Sequence, residues 1–360
     1  MAHAKRIDTS NNNTRWQDAA KRKVKAFMDL GCFEFHGSGH HEKLDGSWQR
    51  TNSHMILDVA LDQVGDFYYM SPLIQFIFGV HDATSNKMNT YIWSEGDAGR
   101  GANNIVSCLY WDLERRGLFS GEGKLGELAL LCDNCAGQNK NRCVMKFAMW
   151  LVEAGFIRKA SLVFLIKGHT KNNANKWFNY LKRGTKGGNI WDEKSLDKAY
   201  SSGNEHLINL FRVPADRWRD FDSWLHEYYM ELPNGATVPN HIFTFGDEGN
   251  PLIMSRQTFR DGDKILHNMK PSSSSKRLSK AFSNLERAEK IRGMYRKLKI
   301  ISAPGLSDVK QMEMFRKIRS IAPPEYHYFY PEPCRAVLDR VKAKDKLKRN
   351  KKRDKPTCTL

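Results

Sequence analysis

The chain has 360 residues, enough for one large domain or two modest ones, and 40% of them are hydrophobic, which excludes a disordered polypeptide. Its formal net charge of +18 requires an acidic partner or counterions, and nucleic acid is the commonest such partner. Seven irregularly spaced cysteines do not make a disulfide framework and fit a reducing compartment, while no apolar run is long enough for a signal segment or a membrane span.

In chain order, Met1 to Thr14 is polar and Asn-rich, and Arg15 to Leu30 has the pattern of a basic amphipathic helix. Gly31 to Ser53, with His36, His40 and His41, has no period and reads as loop. The run Met55-Ile-Leu-Asp-Val-Ala-Leu61 reads as a first strand with one carboxylate inside it. Phe67 to Val80 and Met88 to Trp93 complete an antiparallel meander, and Pro72 marks an edge or bulge. Ala102 to Arg116 follows as a helix with Ile105, Cys108, Leu109 and Leu113 on one face. Glu127 to Cys132 is a buried strand ending at Asp133. Val144 to Val152 is helical and stops at Gly155, Ser161 to Ile166 is a further buried strand, and Asn172 to Arg183 a further helix. Beyond Gly184 the pattern predicts a helix at Trp218 to Tyr229, a strand at His241 to Phe245, a linker at Pro271 to Ser275 and a basic helix at Lys276 to Leu298.

The order βββαβαβα implies an α/β fold whose later strands are parallel and covered on both faces. This is the order of a ribonuclease H-like mixed sheet. The expected organisation is an N-terminal polar and basic segment (1–50), the ribonuclease H-like domain (51–200), an α+β extension (201–270), a basic helical region (271–335) and a disordered basic tail (336–360).

In such a sheet the first and fourth strands are neighbours, so Asp58 and Asp133 are expected at one edge. Two carboxylates meeting there repel each other, and a Mg²⁺ or Mn²⁺ ion resolves the repulsion with hard oxygen ligands. A pair of such ions about 4 Å apart activates water and stabilises the leaving oxygen in phosphodiester cleavage. An isolated Asp in an apolar run is otherwise a cap or an ion-pair partner. The segment Asp133-Asn-Cys-Ala-Gly-Gln-Asn-Lys-Asn141 places Gln138, Asn139, Lys140 and Asn141 just after the acid. Amides in a strand-to-helix turn hold phosphate or orient metal ligands, and they also serve as caps.

These residues carry a resemblance. Ile-Leu-Asp58, the Asp133–Asn141 segment and Gly168-His-Thr-Lys-Asn172 are similar to the integrase-like, ribonuclease H-type domain of transposon-derived eukaryotic proteins, a domain of unknown function. Glu95-Gly-Asp-Ala-Gly-Arg-Gly-Ala-Asn103 belongs to the likeness, which covers roughly Asp58 to Lys182 and extends less clearly to Pro323-Pro-Glu-Tyr326. It implies that Asp58 and Asp133 hold the metals, that Glu95 or His169 completes the catalytic group, and that Thr170 and Lys171 join Gln138, Asn139, Lys140 and Asn141 in contacting phosphate. The family commonly has an Asp after the Gly-His-Thr motif; here the matching residue is Asn175, a neutral ligand that lowers metal affinity. Asp192 and Asp197 are weaker substitutes.

Cys132-Asp-Asn-Cys135 lacks a second close pair for zinc, and Gly121-Glu-Gly-Lys-Leu125 lacks the spacing of a phosphate loop. Trp111, Trp150 and Trp177 fit core positions. The tail Arg340 to Lys355 is a nucleic-acid or nuclear-localisation patch, or else a solvated tail. The sequence thus reads as a nuclear, transposon-derived, integrase-like protein that binds nucleic acid, DNA in the first instance, without a membrane. The alternative is a catalytically inactive binding or interaction module that keeps the fold.

Overall fold

In the computed structural model the described residues are chiefly 73–82, 85–119, 126–132, 139–164, 173–185, 190–202, 206–230, 240–246 and 295–353, with several shorter stretches. The expected N-terminal helix, the linker at 271–275, most of the basic helix at 276–298 and residues 354–360 lie outside them. Strands β1 (Phe33–His36), β2 (His40–His41), β3 (Gln49–Arg50), β4 (Ser53–Ile56), β5 (Leu73–Asp82) and β6 (Lys87–Ser94) come first. Then follow α1 (Ala102–Arg115), β7 (Glu127–Cys132), α2 (Arg142–Glu153), β8 (Lys159–Phe164), α3 (Asn173–Thr185) and α4 (Glu193–Ser201). The rest comprises β9 (Ile208–Arg212), α5 (Phe221–Tyr228), β10 (Ile242–Phe245), β11 (Leu252–Arg256), β12 (Ile265–Asn268), α6 (Asp308–Glu313) and α7 (Arg335–Arg353).

One mixed sheet takes ten of these strands, in the order β12-β11-β10-β8-β7-β1-β5-β6-β9 with β4 also paired to β5, and β2 and β3 pair separately. The β5–β6 hairpin closes where Asn86 takes the left-handed φ of 53°, a conformation that asparagine tolerates. His81 Nε2 lies 3.1 Å from the Asn86 side-chain oxygen. Helices α1 and α2 stop by the same device. Gly117 and Gly155 take positive φ, and the next residue donates backwards, Leu118 to Leu113 and Phe156 to Leu151.

The expected first strand begins in β4, antiparallel to β5, and its residues 57–61 lie outside the described residues; pairing corrects only the strand that adjoins β7. The strand between β5 and β7 is β1, antiparallel to β5 and parallel to β7, and it falls in the stretch read as loop. The β4 strand lies farther along the same edge of β5, so β1 and β4 share that edge in the same direction. Four residues between glycines are too short for a periodic signal; the strand is specified by hydrogen bonding to partners distant in sequence. Because β1, β6, β7 and β8 all run the same way, their carboxyl ends lie at one edge of the sheet.

Both faces are covered. On one, α1, α2 and α5 enclose a core around Trp150, which touches the rings of Phe147, Phe156, Trp224 and Tyr295. On the other, Trp177, Phe178 and Leu181 of α3 pack with Ile77, Met88 and Ile92 of the sheet. Residues beyond 200 are integral to this body: β9 extends the sheet at one end, β10 to β12 at the other, and Met314, Ile318 and Tyr330 complete the second core. The tail is also revised, since 335–353 form helix α7, anchored by buried Val337 and by Arg340, whose Nε and Nη2 donate to the Asp308 carboxylate at 2.9 and 2.8 Å.

A buried carboxylate ties α1 to the sheet. Asp112 is fully buried and accepts from Tyr91 Oη, Asn89 Nδ2 and Arg116 Nε, each at 2.7 Å. Burial and then the Asp112 charge push the Tyr91 hydroxyl far above its ordinary pKa, so it remains a donor. Removing one partner of such a set strands the others without water. Asp112→Ala is expected to cost about 3–5 kcal/mol in urea denaturation, and Asp112→Asn less; a loss under about 1 kcal/mol would show that the network is not a stabilising tie.

Candidate functional site

The site is built where two adjacent parallel strands end. From Leu128 and Ala160 onward, β7 and β8 are buried on both faces, and the two strands end side by side at the carboxyl edge. Helix α2 follows β7 on the Trp150 face, and α3 follows β8 on the Trp177 face. Helices that leave neighbouring strands on opposite faces open a crevice between the strand ends, the usual place for a ligand in an α/β sheet. Helix α2 points its amino end there, with Asn141 as its cap: the side-chain oxygen accepts from Val144 N at 3.1 Å. The remaining first-turn N–H groups give that end a partial positive charge.

Of the expected site residues, Asp58, Asp133, Gln138, His169, Thr170 and Lys171 lie outside the described residues. The structure brings Asn139, Lys140 and Asn141 together at the carboxyl edge and places Asn175 on the first turn of α3. Asn139 is fully buried, and among the described residues neither end of its amide has a hydrogen-bond partner; nor has Asn141 Nδ2. Buried amides are nearly always satisfied, so the partners of these two lie beyond the described residues.

Lys140 departs from its expected role as an open phosphate contact. It is only 6% exposed, with Nζ 5.6 Å from the Phe164 ring centroid, and burial lowers its pKa to about 8. His241 lies beside it, Nδ1 3.2 Å from the Phe164 carbonyl oxygen, with its own pKa lowered by burial and by the Lys140 charge. The pair sits behind the turn, where a desolvated amine strengthens the local field instead of reaching into solvent.

Sequence reasoning missed the layer beneath. Lys146, on the second turn of α2, is fully buried with Nζ 3.3 Å from His226 Nδ1 of α5. Cys143 is buried as a free thiol, pushed upward by burial and by Asp222, with which it hydrogen-bonds. A Lys on a helix otherwise apolar at that face is the one sequence signal that pointed there. Cys132 is likewise a buried free thiol, as its place in an apolar run implied.

Glu95 is not brought to this edge point. It follows β6, three strands from β7; its Oε1 accepts from Ile74 N at 2.9 Å and pairs with Lys310 Nζ at 2.5 Å. Asp192 and Asp197 are structural as well. Asp192 caps α4 by accepting from Ser195 N, and Asp197 is held by Arg212, whose Nε and Nη2 donate at 2.8 Å. These contacts commit both carboxylates to the α4 and β9 end of the sheet.

A wide mixed sheet with helices on both faces defines an α/β domain. The chain belongs to the family described as Domain of unknown function (DUF7869), whose model matches residues 69–261, more than half of its length. No curated protein matches the sequence. One solved structure is similar: a chain in the cryo-EM structure of the simian T-cell lymphotropic virus intasome in complex with PP2A regulatory subunit B56 gamma. It is 11% identical, over 68% of this chain and 81% of that one, with a TM-score of 0.26, too low to establish a shared fold. Among the described residues, no helix is long and apolar enough to cross a membrane.

The depressed Lys140 pKa has a defined sign. Between about pH 8 and the ordinary lysine value the unfolded chain holds a proton that the folded chain has released, so this group's contribution to stability rises with pH across that window. Below pH 8 its desolvation cost is fully present. Denaturation of the natural chain and of Lys140→Met from pH 7 to 10 should show the difference moving in favour of the natural chain as pH rises; a difference independent of pH would show that Lys140 titrates normally.

Proposed function

We propose that this protein is an integrase-like member of its family with a ribonuclease H-like core. It binds nucleic acid, DNA in the first instance, and its ancestral chemistry is metal-dependent phosphodiester cleavage or strand transfer. The strand order β8-β7-β1-β5-β6 supports this reading most directly. Three antiparallel strands adjacent in the sheet are joined through β1 to two parallel ones, with α2 and α3 on opposite faces.

Asp133 follows β7 and, with Asp58, is the proposed holder of Mg²⁺ or Mn²⁺. The Asn139 amide at the same turn fits a hard cation, because it offers a neutral oxygen with no partner among the described residues. The ion would supply charge stabilisation and an activated water. The α2 amino end and Asn141 would orient a phosphate, and Thr170, Lys171 and His169 would approach from the loop after β8. Pairing adds a competitor to Asp58: Glu34 stands opposite Leu131 on β1, the strand adjoining β7, and is the carboxylate of that central strand.

Asn175 favours the second reading, a binding module whose catalysis has decayed, since an amide supplies no charge to a second ion. Nicking of duplex DNA in Mg²⁺ or Mn²⁺ tests both. The natural chain is expected to cleave weakly or not at all, Asn175→Asp to raise cleavage, and Asp133→Ala to abolish the gain. Comparing Asp58→Asn with Glu34→Gln in the Asn175→Asp background identifies the second acid. Robust cleavage by the natural chain would overturn the assignment of Asn175, and unchanged metal binding in Asn175→Asp would remove that position from the site.

The net charge of +18 and the basic helix α7 support a polyanionic partner and a nuclear location. Arg340, with Lys344 Nζ 3.9 Å from Asp308, fastens the first half of α7, which leaves the basic residues beyond it as the proposed phosphate contacts. Deleting residues 345–360 should therefore leave the fold intact and flatten the dependence of DNA affinity on salt, by roughly one unit of slope for each phosphate no longer neutralised. An unchanged slope would exclude α7 as a binding element.

A further inference from the structure

Away from the carboxyl ends of β7 and β8, a cavity of about 470 Å³ lies between the family domain and the C-terminal segment. One wall comes from Leu73 and Ser94 of the sheet and Glu193 of α4; the other comes from residues 306–334, beyond the family match. Its volume is that of a small-ligand pocket. Leu73, Leu306, Met314 and Phe329 make much of the wall apolar, and two carboxylates, Glu193 and Glu332, face it.

The cations nearest the cavity's carboxylates are already engaged, and Arg319 donates to the Tyr330 carbonyl oxygen at 3.1 Å. Arg212 is divided between Glu193, at 3.1 Å, and Asp197, at 2.8 Å, while Lys310 is committed to Glu95. Asp97 accepts only from Ser94 N and Oγ, and neither Asp97 nor Glu332 has a cation partner among the described residues. Burial pushes the Glu193 carboxyl above its ordinary pKa despite Arg212, and Asp97 and Asp197 add to the rise, the behaviour of an under-compensated negative site. In a chain of +18, an acidic apolar-walled cavity selects for an organic cation.

We propose that this cavity is a binding site for a guanidinium group on an aliphatic stem, an arginine side chain or a small arginine-like molecule, with its head between Glu193 and Glu332 and its stem against Met314 and Phe329. A bare metal ion has no use for the apolar wall. An ammonium is more strongly hydrated than a guanidinium and stacks less well on an aromatic ring, whereas the planar fork engages two carboxylates together.

Cys334, an exposed free thiol on the rim, supplies a local reporter. The full chain would be titrated by calorimetry with agmatine, putrescine and N-acetyl-arginine methylamide, and alkylation of Cys334 by iodoacetamide followed by peptide mass spectrometry. Agmatine is expected to bind more tightly than putrescine and to slow alkylation at Cys334. Glu332→Gln, at an exposed position that leaves the fold unchanged by circular dichroism, should weaken agmatine about tenfold. N-acetyl-arginine methylamide binding at least as tightly as agmatine identifies a polypeptide arginine as the ligand; weaker binding identifies a small molecule. No heat with agmatine, no protection of Cys334, equal affinity for putrescine, or full affinity in Glu332→Gln would each overturn the proposal. None of these measurements involves the β7–β8 crevice, so their failure and that of the nuclease reading are distinguishable.

Discussion

The burial of β7 and β8 on both faces governs the rest of the molecule. Parallel strands cannot be joined by a tight turn, so each must be followed by a crossover long enough to carry a helix. The apolar side chains on the two faces also need separate covers. Helix α2 meets both demands on one face, and α3 meets the second on the other. The polar chain that joins strand to helix is then forced to the carboxyl edge, where the amino ends of helices are also delivered.

The residues at that edge are polar but largely withdrawn from water. Asn139 and Lys140 are buried, His241 is held against the Phe164 carbonyl, and Lys146 lies beneath them against His226. In such surroundings each charge acts over a longer range than at the surface, and an amide left unpaired gains more from a ligand than one already hydrated. The turn's polar groups thus lie in a medium of low polarity, in contrast to the exposed cations of α7, whose fields are screened by salt.

The C-terminal segment is a structural partner of the family domain. It covers the second face with Met314, Ile318 and Tyr330, reaches Glu95 through Lys310, and ties α7 back through Asp308. The same docking leaves the acidic cavity between the two parts. One set of contacts consumes Glu95, which the motif pattern had assigned to chemistry, and makes a pocket from residues that carry no motif.

The sequence by itself determined the elements whose signal is local. Runs such as Glu127 to Cys132, the helical spacing from Val144 to Val152 and the stop at Gly155 are visible because burial and backbone handedness act within a few residues. The mixed α/β class and the grouping of Asn139, Lys140 and Asn141 followed from them. Tertiary structure alone decided the rest. It set β1, four residues read as loop, between β5 and β7, because a short strand is specified by hydrogen bonds to distant partners. It turned Glu95, Asp192 and Asp197 into paired or capping groups and drew Lys140 inside, because a charged side chain's role depends on which groups surround it, and those groups lie far away in the chain. It also made a helix of Arg335 to Arg353, because a charged segment with little core of its own folds only when another element, here Asp308, is present to hold it.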